Sequence, residues 1–74
     1  MYQRLAAVRL AQGQIDQAEA LAHKSNSLAV GNPFVHADNW VLIAEVRRMR
    51  GDQAGRREAM AKVEQYRTQS AALR

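Results

Sequence analysis

Five arginines crowd one short stretch: Arg47, Arg48 and Arg50 stand just ahead of Gly51, and Arg56 and Arg57 just after it. A guanidinium presents a planar fork of donors that grips a carboxylate or a phosphate through two parallel hydrogen bonds. The cluster is therefore the first candidate for recognition chemistry. Its plainer reading is a solvated turn. Cations are favoured at a helix C-terminus by the macrodipole, and Glu45 stands three residues before Arg48, at the spacing of a helical ion pair. An acidic protein partner is the first functional reading, and nucleic acid the next. A continuous arginine stripe across two helices would favour the latter, with a steep salt dependence of binding.

Catalytic chemistry has less to stand on. His23 and His36 are the only histidines, they fall on different predicted elements, and the chain has no cysteine. A zinc site needs three or four ligands, and no serine or aspartate forms a nucleophile constellation with either histidine. Both are expected to be surface histidines. Trp40 has the face to stack on a ligand, but its place in a helical apolar stripe makes it a core residue, as it does Met60 and Tyr66. Two helices meeting at Gly51 also raise a helix-turn-helix reader of DNA. The second of them turns its apolar stripe inward instead of presenting polar residues to a groove. We expect no enzyme and no metal or other cofactor.

The elements that must position these residues are helical. Alanine, leucine, glutamine and arginine dominate, and aromatics are only 5% of the 74 residues, which favours helices over strands. The expected fold is all-α, in one domain covering residues 1–74. A chain of this size buries only about 60% of the surface its unfolded form exposes. Without cysteine, no disulfide or thiolate zinc site adds stability, so close helix packing or neighbouring protein has to. No run approaches the roughly 20 apolar residues of a membrane span, and no basic segment followed by an apolar stretch opens the chain. A soluble, cytoplasmic module is the expectation. The net charge of +4 is uneven: three bases against two acids through residue 37, then eight against five.

Apolar residues recur at helical spacing from Tyr2 through Leu5, Ala6 and Leu10, and Gly13 ends that run. A second helix starts near Gln14 or Ile15, with Asp16 in its first turn, where the dipole favours a carboxylate. Its inner face is Ile15, Ala18, Leu21, Ala22 and Ser25. Leu28, Ala29 and Val30 are able to extend it, but Gly31 followed by Pro33 is the better stop. Asn32 to Val35 are expected to be extended because a residue before proline avoids the helical region, with Phe34 tucked into the core. Asp38 then reads as the N-cap of a third helix carrying Trp40, Ile43, Ala44 and Arg47 and ending at Gly51. Asp52 caps a fourth, from about Gln53 to Ser70, with Ala59, Met60, Val63, Tyr66 and Leu73 along its face. Gly55 weakens its start by roughly 1 kcal/mol relative to alanine.

The halves resemble each other. A shift of 38 aligns Tyr2 with Trp40, Leu5 with Ile43, Ala6 with Ala44, Val8 with Val46, Arg9 with Arg47 and Gly13 with Gly51. One more residue aligns Glu19, Ala20, Leu21 and Ala22 with Glu58, Ala59, Met60 and Ala61. Helical pairs repeating at 20 to 50 residues signal a solenoid. On these residues the chain resembles the tetratricopeptide repeat family. Its pattern of a large aromatic, then an aliphatic and a small residue, then a turn glycine is filled by Trp40, Ile43, Ala44 and Gly51, and by Tyr2, Leu5, Ala6 and Gly13 with Ala18 beyond. Arg9 and Arg47 stand where the family usually has an aromatic, and the spacing exceeds the family's usual 34 or so.

The resemblance implies two stacked antiparallel hairpins, about 2–31 and 38–73, forming a fragment of a right-handed superhelix. It also implies a partner-binding concave face built from the first helix of each pair. That face would include Gln3, Ala7 and Leu10, with Leu42, Glu45, Arg48 and Met49 opposite. One hairpin cannot bury its apolar face alone, and about three repeats are normally needed. The expected function is non-catalytic protein binding or self-association, with the Arg47, Arg50, Arg56 and Arg57 group as the alternative site for an acidic partner or nucleic acid.

Overall fold

The structure, a computed structural model, describes residues 2–29 and 31–72, leaving aside the Tyr2 side chain. Val30 and Leu73 lie outside the described residues. So does the Tyr2 ring, which leaves Trp40 as the one side chain of that aligned pair to examine. The chain is all-helical: α1 Tyr2–Ala11, α2 Ile15–Leu28, α3 Pro33–Met49 and α4 Gln53–Ala72, with no strand among the described residues. No helix there is long and apolar enough to cross a membrane.

The two hairpin turns close by the same hydrogen bonds. Gly13 N–H donates to the Leu10 carbonyl (3.0 Å) and Gln14 N–H to that of Arg9 (2.9 Å). Thirty-eight positions on, Gly51 N–H donates to Arg48 (3.0 Å) and Asp52 N–H to Arg47 (2.9 Å). This double bond pattern satisfies carbonyls that a helix end otherwise leaves orphaned, and it puts the residue after the helix in the left-handed region. Gly13 and Gly51 have φ of +77° and +76°. The absence of a Cβ is what makes that conformation cheap.

The start of α3 differs from expectation. Asp38 is not its N-cap; Asn32 is, with φ −113° and ψ 92° and a side-chain oxygen that accepts from Val35 N–H at 3.3 Å. Pro33 pushes Asn32 out of the helical region and then occupies the first helical position, where its missing N–H leaves nothing unsatisfied. The proline thus begins the helix rather than delaying it. As a result Asn32 to Val35 do not form an extended loop. Asp38 sits exposed inside α3, and Phe34 is 45% exposed instead of tucked into the core.

Adjacent helices pack on one another, and α3 lies against both α2 and α4 while touching α1 at few positions. Small residues make the contact. Ala6, Ala22, Ile43, Ala44 and Ala59 form the buried cluster, and Leu21, Trp40, Leu42 and Met60 pack around it. Ile43, Val46 and Val63 are the largest apolar side chains that are fully buried. Each contributes about 1.5–3 kcal/mol of burial free energy. The Cα envelope is only 16 Å in its thinnest dimension, so each helix keeps much of its circumference exposed.

Gly55 proves to be a junction. Its N–H donates to the capping Asp52 carboxylate (2.8 Å) and its carbonyl accepts from Arg47 Nη1 (2.9 Å). An added Cβ would lie 2.7 Å from Asp52 Cγ and 2.9 Å from Arg47 Cδ, so α4 starts regularly because this position has no side chain. Replacing Gly13 or Gly51 with alanine is expected to cost about 1–2 kcal/mol each, and the costs should add because the turns share no partner. Urea midpoints of the single and double variants check this.

Candidate interaction surface

The arginine cluster divides among different tasks. Arg47 reaches across to α4, donating to the Gly55 carbonyl, and its guanidinium carbon lies 5.9 Å from the Trp40 ring centroid. Lys62 holds its ammonium at the same distance from that ring, and His23 meets the ring edge-on at 6.1 Å. Trp40 is half-buried against the core cluster, and the negative face of its ring is where cations rest. Arg48 bonds to Glu45 through Nε at 3.1 Å to both carboxylate oxygens, and through Nη2 as well. That bond holds the Glu45 carboxyl below its ordinary value of 4.5 and Arg48 correspondingly higher. Arg50 turns back to α2, where it bonds Glu19 (3.0 Å) and Asp16. Its guanidinium is held more firmly protonated by Glu19 first and by Asp16 in addition. Arg56 and Arg57 stay exposed on α4.

Three of the five therefore bind this chain's own acceptors. Arg50 in particular is a clamp: it ties the end of α3 to the first turns of α2, which sequence spacing did not reveal because the partners are more than thirty residues apart.

Among the other expected site residues, Gln3 and Ala7 of α1 and Leu42 of α3 line one open groove, together with Arg4, Asp38 and Val41. Leu10 is half-buried outside that lining, Glu45 is engaged by Arg48, and Met49 is 43% exposed toward the far end of α3. Arg4, Asp38 and Val41 were missed. Asp38 had been assigned to a cap; a helix starting at Pro33 sets Phe34, Asp38, Val41 and Glu45 on one stripe at the four-and-three spacing of a helical face. Two further concavities adjoin the groove. One is lined by Gln3, Arg4, Leu5 and Val8, and the other includes Phe34 and Asp38.

The internal repeat breaks in both helices: along the second, Ala20 is exposed where its counterpart Ala59 is buried, and Ala22 is buried where Ala61 is exposed; along the first, two positions differ. Ala6 and Ala44 are equivalently buried, at 0% and 3% exposure. Leu5 and Val8, however, are 40% and 46% exposed, while their counterparts Ile43 and Val46 are at 0%. The cause is position. Helix α3 has α2 laid against it, and no described element lies in the corresponding place beside α1.

A polar seam joins α2, α3 and α4. Asn39, fully buried, donates through Nδ2 to Ser25 Oγ (2.9 Å) and Asn26 Oδ1 (3.0 Å), and its own Oδ1 has no partner among the described residues. Asn26 Oδ1 also faces His36 Nδ1 at 3.0 Å, which requires the proton on Nδ1. The His36 ring stacks on Tyr66 with centroids 5.0 Å apart. His36 is thus half-buried in an interhelical contact, not the surface residue expected, whereas His23 is exposed. Among the described residues no three histidine, cysteine or acidic side chains gather as metal ligands. Compared with known proteins, the chain matches no family model, no curated protein and no solved structure.

Two outcomes follow from these contacts. Asn39→Ala removes the donor to buried Ser25 Oγ and one of the two donors to Asn26 Oδ1, and should cost about 1–3 kcal/mol by urea titration. Because the folded Glu45 carboxyl titrates below its ordinary 4.5, its contribution is complete above that value and is lost as pH falls through the lowered one. Glu45→Gln should therefore flatten the stability profile only on the acid side of about pH 4.5. Added salt should shrink the difference, since the pair is exposed.

Proposed function

We propose that this chain is a non-catalytic interaction module of the helical-repeat kind, which offers the uncovered side of α1 to a further helix. The observation that carries the reading is the unequal burial of two aligned pairs, Leu5 with Ile43 and Val8 with Val46. The second unit illustrates what a finished contact looks like: α2 lies along α3 and both aliphatic side chains leave water. The first unit has the same residue types at the same positions and the same turn after them. Leaving two adjacent aliphatic side chains half in water is the state that a stacking neighbour relieves. The repeat-like resemblance and the chain's limited core point the same way. The arginine reading is the weaker one, since Arg47, Arg48 and Arg50 already have partners within the chain.

A chain with residues 1–38 repeated ahead of Met1 tests this directly. The added Pro33 to Asp38 segment would run on into α1 with the length of α3, and the added α2 would lie over Leu5 and Val8. In the 74-residue chain Leu5→Ser should change stability by less than about 0.5 kcal/mol. In the elongated chain it should cost about 1–3 kcal/mol. Equal costs in both chains would remove the basis of the reading.

A further inference from the structure

The groove between α1 and α3 has a charge arrangement that suits a particular occupant. Arg4 stands on its α1 side and Asp38 on its α3 side, both exposed, with Gln3, Ala7, Val41 and Leu42 completing the lining. Among the described residues neither Arg4 nor Asp38 takes part in an ion pair. Val41 is 39% exposed and Ala7 is exposed, so the floor between the charges is apolar and low. An acidic segment laid along this strip would meet Asp38 and a basic one would meet Arg4, so a ligand of single sign is penalised at one wall. A strip with opposite charges on its two walls complements itself under a two-fold rotation, in which residue i meets j and j meets i.

Resting on the interaction reading above, we propose that a second copy of this chain occupies the groove. The two copies form a closed pair in which Arg4 of each faces Asp38 of the other across the Ala7, Val41 and Leu42 floor. Head-to-tail growth through α4 is not the alternative the surface favours. Its Arg57, Ala61, Glu64, Gln65 and Thr68 are all exposed, and Glu64 is already paired with Arg67 at 3.5 Å.

The test is sedimentation equilibrium of the 74-residue chain up to about 1 mM, with circular dichroism verifying that each variant keeps its helices. Arg4→Asp and Asp38→Arg each set like charges against one another in a homodimer, and each should weaken pairing at least about tenfold. Mixing the two variants restores both attractive pairs, so the mixture should associate about as tightly as the unaltered chain. A chain that stays monomeric throughout overturns the proposal. So does a dimer indifferent to both substitutions, or a mixture no tighter than its components. The elongated-chain test varies Leu5 and leaves Arg4 and Asp38 unaltered, so a failure here leaves the stacking reading standing, and a failure there is seen separately.

Discussion

The seat of α3 between α2 and α4 is the contact on which the rest of the structure depends. Ile43, Val46 and Val63 are fully buried where α2, α3 and α4 pack together, and Ile43 shares its cluster with Ala22 of α2 and Ala59 of α4. Alanines at Ala22, Ala44 and Ala59 let the backbones approach closely. Polar contacts then fix the register of that seat. Arg50 holds the start of α2 through Asp16 and Glu19. The Asn39 seam holds the other end of α2 through Ser25 and Asn26. Directional bonds at both ends of one helix permit little sliding, which compensates for a floor of small side chains that would otherwise tolerate several registers.

Much of this architecture was legible in the sequence because its signals are local. A glycine after a run of helix formers specifies a turn, and Gly13 and Gly51 turn the chain by identical bonds. Apolar spacing near three and four gave the buried faces of α2 and α4. The start of α3 was misread because Pro33 carries two opposed meanings, helix breaker and first helical residue, and only the capping bond from Asn32 decides between them. That misreading also hid the groove, since Asp38 changes from a cap to a surface residue once α3 begins six positions earlier than a helix capped there.

The long-range features were not legible for a different reason. Nothing in the residues around Arg50 announces Asp16 or Glu19, and nothing in Asn39 announces Ser25; such pairings are set by helix packing. The same applies to Leu5 and Val8. Their alignment with Ile43 and Val46 is visible in the sequence, but whether an aliphatic side chain is hidden depends on what lies beside its helix. Similar residues at aligned positions thus have different burial.

That difference limits the assemblies open to the molecule. Growth into an open array by identical chains needs two sticky surfaces that fit each other, one at each end. Here α1 leaves aliphatic side chains exposed, while the outer side of α4 is polar and partly satisfied by its own Glu64 and Arg67. The association proposed above accordingly uses the α1 and α3 side. With three fully buried aliphatic side chains larger than alanine among the described residues, the core gains from any such partner by mass action, since binding to the folded form alone raises its stability with concentration.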